Sequence, residues 1–360
     1  MKHKTRQVSP RLKAGVKFWR SDLNRQLFIG TRFQNFLIPD QFGSLDVEPA
    51  LHLLAKGKLD QEQYAALISA LKGLHLIDTS STELNYQYRE NVSQDIGSIS
   101  LRSVAEENFY SRFEIEAHAI SGIEGVKDGG VSRVLDRRSL FIEVHGVGRL
   151  LFPLLANLIS SGFDNCTLGR SFDIHPTDLI GGYLRRSDLG FDGNRKLSAL
   201  KDEVSLYPEV LGSGGKPDLI ISIGAPAPEV LQSWLSQGIS QLFVDYENSF
   251  EIRIGPYVEP RNGACYNCLR IAESERGYPS INALNNGIGR GVNGKSSQRS
   301  ELASSLSSYG ASLIALEVLR IADTGSSNLH QKSLLISMLN HLEPQVTSWE
   351  RSPRCGCNWS

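Results

Sequence analysis

The chain has 360 residues, 40% of them hydrophobic and 21% charged, with a formal net charge of -1. That length suits a large domain with a smaller one beside it, and the balanced charge gives no reason to expect a nucleic-acid partner. The longest apolar runs, such as Leu150 to Ile159, are too short to cross a bilayer, and the first residues lack an apolar signal core. The reading is therefore a cytoplasmic protein with no membrane partner.

The balance hides an asymmetry. Met1 to Arg32 carries nine Lys or Arg against one acid, Asp22, which gives that end about +8. It suits an acidic partner such as a peptide, the alternative being a solvated basic tail.

In chain order, Val16–Arg20, Gln26–Gly30 and Asn35–Ile38 read as three short strands of a small antiparallel sheet. Val47–Ala55 and Gln61–Lys72 show apolar residues at helical spacing, with Asp60 as N-cap and Gly73 as stop. Residues 1–80 thus form one module. Thr79 to Gly97 is polar and reads as a linker, and Leu101–Ile120 as a helix bridging onward, so 81–137 connect the module to a large domain over 138–360.

The large domain opens with a strand, Ser139–Val144, then the glycines of His145-Gly146-Val147-Gly148 and an apolar helix from Arg149 to Ser160. Strand, glycine turn and helix begin a nucleotide-binding α/β unit. An apolar strand at Asp218–Ile223, a helix at Pro228–Gln237 and a strand at Gln241–Asp245 continue the alternation that demands a mostly parallel sheet covered on both faces. Ser249–Val258 adds a strand, Arg290–Arg299 reads as a polar loop, and Leu302, Leu306, Tyr309, Leu313 and Leu316 mark a long amphipathic helix.

Four of the five cysteines fall in tight pairs, Cys265-Tyr-Asn-Cys268 and Cys355-Gly-Cys357. In a reducing compartment such pairs point to a closed Zn2+ site of four thiolates, with no open position for water and therefore a structural role. Cys166 stands alone and reads as a buried, inert thiol.

Three stretches carry a family resemblance: Gly255-Pro-Tyr-Val-Glu-Pro-Arg-Asn-Gly-Ala-Cys265-Tyr-Asn-Cys268, Ser352-Pro-Arg-Cys355-Gly-Cys357 and Pro10-Arg-Leu-Lys-Ala-Gly15. The first two resemble the zinc-binding segments of ThiF/MoeB/HesA proteins, relatives of the ubiquitin-activating enzymes. The third resembles the peptide-recognition module, winged-helix-like, that is fused to such domains in ribosomal-peptide (RiPP) modification systems. The resemblance implies a Rossmann-like ThiF domain with a four-cysteine zinc site, and it implies two possible branches. One is the adenylating enzyme of microcin C maturation. The other comprises leader-peptide-binding proteins that accompany YcaO cyclodehydratases in thiazole, oxazole and thiopeptide biosynthesis. The family commonly forms homodimers through the large domain.

Adenylation requires a phosphate-binding turn, acids for ribose and magnesium, and an arginine for the developing charge. Gly146 and Gly148 match the turn, but Arg149 follows where the family has small residues. In Arg170-Ser-Phe-Asp-Ile-His-Pro-Thr-Asp-Leu-Ile-Gly-Gly182, Gly181 replaces the arginine, the ribose acid falls at Arg170, and Asp173 restores it only in a shifted register. In Ser222-Ile-Gly-Ala-Pro226, Gly224 stands where magnesium needs an aspartate. The nucleotide site thus reads as vestigial, comprising Gly146, Gly148, Arg149, Asp173, Arg195 and Lys196, with neither ATP nor Mg2+ expected and no catalytic residue assigned.

The better-matching branch implies that a leader peptide adds as a strand to Asn35, Phe36, Leu37 and Ile38. The Gln61–Lys72 helix would grip it through Tyr64, Leu67, Ile68, Leu71 and Lys72, with plain core packing as the alternative for the apolar ones. Arg25, Arg32 and Lys72 would face leader acids. The chemistry would then belong to a YcaO-type partner. The rival reading is an active ATP-dependent adenylating enzyme acting on a peptide, with Asp173, Asp178 or Asp245 holding ribose and magnesium.

Overall fold

The computed structural model describes residues 9–13, 15–31, 33–79, 112–123, 125–207, 215–246, 248–277 and 301–359. The chain divides into two compact units, Met1–Leu135 and Asp136–Ser360. Arg32, residues 101–111 of the expected bridging helix and the expected loop Arg290–Arg299 lie outside the described residues.

In the first unit, β1 (Arg11–Leu12) pairs antiparallel with β7 (Ile77–Asp78). The expected small sheet is present as β2 (Lys17–Arg20), β3 (Leu27–Gly30) and β4 (Asn35–Ile38), with β3 in the middle. Its register aligns Phe18, Ile29 and Phe36 in one row and Trp19, Phe28 and Leu37 in the next. Successive residues of a strand face opposite sides. Leu27 and Ile29 are accordingly buried, and they meet Leu51 and Leu54 of α1 (Val47–Ala55) and Leu67 and Leu71 of α2 (Ala65–Gly73) in one core. Between sheet and helices lies a short hairpin, β5 (Gln41–Phe42) with β6 (Leu45–Asp46).

Two boundaries of α2 differ from the sequence reading. Asp60 does accept hydrogen bonds from the Glu62 and Gln63 amides, at 2.9 and 3.1 Å. It caps only a turn, because Tyr64 at φ -113° interrupts the helix, which begins at Ala65. The stop is made by His75 rather than Gly73. His75 takes a left-handed φ of 57°, its amide bonds to Lys72 O, and the Leu76 amide reaches back to Leu71 O. Those paired bonds are a Schellman closure, which glycine usually provides.

A third helix, α3 (112–121), belongs to this unit and buries Phe113, Ala117 and Ile120. Buried Lys13 donates its ammonium to Ser121 O, and the Thr79 amide bonds to Lys127 O at 3.0 Å. These contacts tie the segment after the polar stretch back to the strands of the small module. A fourth helix, α4 (Val131–Arg137), follows.

The second unit is built on a seven-stranded sheet. Its strands are β8 (Ile142–His145), β9 (Cys166–Leu168), β10 (Leu219–Ile223), β11 (Ser240–Asp245), β12 (Glu251–Val258), β13 (Lys332–Ser337) and β14 (Gln345–Ser348), in the order β14-β13-β12-β11-β10-β8-β9. β9, β8, β10 and β11 are mutually parallel, and the pairings from β11 to β14 are antiparallel. Five strands therefore point one way and two the other. β13 and β14 carry no marked alternation, and the sequence gives no signal for them.

On one face lie α5 (Leu151–Ser160), α6 (Gly193–Val204) and the long α9 (Ser304–Thr324), sharing a single large core. On the other, α7 (Pro228–Ser236) brings Trp234 against Ile220 and Ile239. The buried stripe of α9 is Leu306, Gly310, Ala311, Ile314, Ala315 and Val318, whereas the expected Tyr309 and Leu316 are exposed at 38% and 61%. The cause is a close approach. A Cβ on Gly310 would lie 2.7 Å from Ile252 Cδ1, so the face turned to the sheet is the one centred on Gly310, with Leu306, Ile314 and Val318 along it and Tyr309 and Leu316 outside it.

Candidate functional site

The cysteine pairs lie about ninety residues apart, one near the middle and one at the end of the second unit's sequence, and meet in space. Cys265 and Cys268 open α8 (Tyr266–Glu275), while Cys355 and Cys357 lie in the terminal turn. Their four sulfurs lie within 4.8 Å of one another. Cys265 Sγ is 3.8 Å from Cys268 and 3.5 Å from Cys355, and Cys268 is 3.4 Å from Cys357. Four sulfurs tetrahedrally bound at ~2.3 Å from zinc stand about 3.8 Å apart, so the set fits a four-thiolate metal site.

Three of the four cysteines are buried, and the donors are soft. Burial pushes the thiols of Cys265 and Cys357 up, the latter to about 11. At Cys355 burial also pushes upward. It is outweighed by hydrogen bonds from the Cys357 backbone, the Asn267 amide and the neighbouring thiols, which bring it to about 7. Cys166 is fully buried, far from ordinary thiol behaviour at about 12 because of desolvation, and donates to Phe163 O.

At the carboxyl end of β8 the expected glycine turn is present, with φ of 130° at Gly146 and 108° at Gly148. Both glycines are needed for the chain's own packing. A Cβ on Gly146 would fall 2.5 Å from Ile223 Cβ and 2.8 Å from its carbonyl oxygen. One on Gly148 would fall 2.5 Å from Glu301 Oε2 and 2.9 Å from the Tyr246 hydroxyl. Arg149 donates its backbone amide to Glu301 Oε2 at 3.1 Å and turns its guanidinium to Thr177 O and Leu302 O. Nothing in the sequence pattern points to Glu301, which is 152 residues away.

The remaining members of the expected nucleotide set are engaged locally. Asp173 is exposed, and its backbone, not its carboxylate, forms an isolated antiparallel β-bridge with Asp192. Arg195 stacks its guanidinium 4.1 Å from the Phe191 ring, and Lys196 pairs with Asp188 at 3.4 Å, so their charges serve the 185–196 segment. Asp178 is buried and caps its turn by accepting from the His175 amide at 2.8 Å. Asp245 is held by Arg253 at 2.6 Å and by the Tyr266 hydroxyl at 3.1 Å. Of the three acids considered for metal and ribose, two already have fixed partners. At Gly224, φ is 90° and a Cβ would meet nothing within 4 Å among the described residues, and a Cβ on Gly181 would likewise meet nothing. Neither position offers the acid or the arginine that a nucleotide would need there.

In the first unit β4 pairs only with β3 among the described residues and forms an edge of the small sheet. Asn35 and Leu37 are exposed, Leu37 by 57%, Phe36 is half-buried against the core, and Ile38 is buried. On the expected gripping helix Tyr64 is half-buried and Lys72 exposed. Leu67, Ile68 and Leu71 are a correction to the sequence reading: they are 2%, 7% and 1% exposed and belong to the module's core. The outer surface of α2 is instead Ala65, Ala66, Ser69 and Lys72.

A sheet with a parallel half, a glycine turn after its first strand and a converging cysteine quartet define an α/β fold preceded by a small sheet-and-helix module. No family model matches the chain, and no curated protein matches it. Solved structures do. E. coli MccB crystallised with selenomethionine MccA is 15% identical, covers 98% of this chain and 99% of its own, and superposes with a TM-score of 0.63. E. coli MccB with ATP is 14% identical, with coverages of 97% and 99% and a TM-score of 0.61. PaaA is 13% identical, with coverages of 94% and 100% and a TM-score of 0.62. The likeness establishes the fold over nearly the full length of both chains.

Proposed function

We propose that this chain binds the leader of a ribosomally made precursor peptide without adenylating it, and delivers that peptide to a YcaO-type cyclodehydratase. The observation that carries the reading is the open edge of β4. An edge strand offers main-chain donors and acceptors in a fixed register, so an extended peptide can add to it while its alternate side chains are read. E. coli MccB, whose fold this chain shares, is solved with MccA and also with ATP. The MccA complexes support a peptide-handling role.

The second half of the reading rests on charge. Gly224 and Gly181 leave no carboxylate for magnesium and no guanidinium for a developing phosphate charge, and Asp178 and Asp245 are already committed. Loss of one preorganised charge typically lowers turnover by about 10²-fold or more. On this reading the chain raises the local concentration of its peptide at the partner that performs the chemistry. The cysteine quartet would hold Zn2+ and fasten the terminal turn to the start of α8, a role without an open coordination position.

The test combines two measurements on the purified full chain. Fluorescence polarisation with labelled precursor peptides encoded beside its gene should give saturable binding, abolished when the leader is removed. Pyrophosphate release from Mg-ATP with the same peptide should stay at the no-enzyme rate. Peptide-dependent pyrophosphate release would establish the adenylating alternative instead.

A further inference from the structure

The glycine turn between β8 and α5 has the form of an anion seat: a helix of ten residues begins just beyond it, the Arg149 amide is directed to a carboxylate, and Gly148 has no side chain to obstruct an approach. In this chain that seat already holds an anion. Glu301 Oε2 accepts the Arg149 amide at 3.1 Å, and its two carboxylate oxygens stand 2.5 and 2.9 Å from where a Cβ on Gly148 would be.

Neighbouring contacts hold the carboxylate in place. Arg149 donates through Nη1 to the carbonyl of Leu302, the residue after Glu301, at 3.4 Å, and through Nε to Thr177 O at 2.9 Å. Leu302 is fully buried, and the Ala303 amide bonds to Ser249 O at 2.9 Å. The two residues that follow Glu301 are therefore fastened to the body of the unit. The guanidinium of Arg149, the cation that adjoins the turn, is spent on backbone carbonyls and not offered to a ligand.

We propose that Glu301 is an internal plug, its carboxylate standing where a nucleotide phosphate would otherwise contact the turn. Two effects exclude the phosphate. The carboxylate occupies the volume that the missing Cβ leaves, and its negative charge repels a second anion at contact distance in a partly desolvated crevice. Gly148 is then retained because the plug requires it. This inference deepens the non-adenylating reading and rests on it, adding to the charges missing at Gly181 and Gly224 a removable cause: one side chain closes the glycine turn.

Isothermal titration of the full chain with Mg-ATP tests it, comparing the wild type with Glu301→Ala and Glu301→Gln. Thermal unfolding checks that each variant is folded. Any Mg-ATP binding by the wild type should be at least about tenfold weaker than that by Glu301→Ala, since like charges at contact oppose binding strongly. Glu301→Gln keeps the volume and removes the charge, and should gain less than alanine. Equal binding by wild type and Glu301→Ala overturns the plug, as does no gain in a folded alanine variant. Binding that is lost on substitution also overturns it, because Glu301 would then be a nucleotide or metal contact. Failure of the parent reading looks different: it shows as peptide-dependent pyrophosphate release by the wild type. A Glu301→Ala variant that binds Mg-ATP yet releases no pyrophosphate supports both.

Discussion

Arg137 and Asp323 form a bidentate pair at 2.9 and 2.7 Å with both side chains 2% exposed, and Arg137 Nη1 also reaches Ser161 O. A buried charge keeps its partner from being stranded, so removing one member is costlier than the pair is worth. Arg137→Ala should lower unfolding free energy by about 3–5 kcal/mol, read from urea melts. Arg137→Met combined with Asp323→Leu should recover most of that loss; an additive double variant would disprove the coupling. The cysteines make a second residue-level prediction. Chelation, or Cys265→Ser, should release stoichiometric zinc and lower the melting temperature, and a metal-free, equally stable wild type would remove the metal from the account. Metal binding requires thiolates, so affinity should fall as pH drops through the thiols' range, with proton release on binding.

Among the elements, β4 is the one on which the proposed peptide binding rests. Its residues are legible from alternation in Asn35–Ile38, and the structure adds that the outer row of the sheet, Trp19, Phe28 and Leu37, remains partly exposed, with Trp19 and Phe28 stacked at 6.0 Å. Leu37→Lys places a charge beside the proposed peptide strand at a position 57% exposed. It should weaken peptide binding at least about tenfold while shifting stability by under about 0.5 kcal/mol, the usual range for surface changes. Unchanged polarisation with an intact fold would move the peptide elsewhere. Helix α2 teaches the opposite lesson. Periodicity identifies Leu67, Ile68 and Leu71 as one face, yet periodicity alone does not say whether that face meets a ligand or the protein's own core. Here the core takes all three.

At the scale of the whole molecule, two compact units follow one another in sequence, and each holds a different part of the proposed function. The first offers a sheet edge, and the second a converging cysteine quartet and a glycine turn contacted by Glu301. Among the described residues no helix is long and apolar enough to cross a membrane. The buried network of Asp245, Arg253, Glu273 and Tyr266 shows how a ligand-facing strand end becomes structural. Burial disfavours the Arg253 charge, and the two carboxylates more than compensate, raising its pKa. Arg253 and Tyr266 both engage Oδ2 of Asp245, so part of that carboxylate's acceptor capacity is spent within the protein.

The sequence by itself determined the alternation of strand and helix, the glycine turn at Gly146 and Gly148, the pairing of the four cysteines and the absence of an acid at position 224. All of these are local patterns or single residue identities, set by backbone geometry and donor chemistry over a few positions. Only the tertiary structure decided which face of α9 packs, that α2 spends its apolar face on the core, and that Asp245 is already paired. It also brought Glu301 to Gly148 across 152 residues. Contacts between distant segments depend on how whole elements stack, and no spacing rule along the chain encodes them.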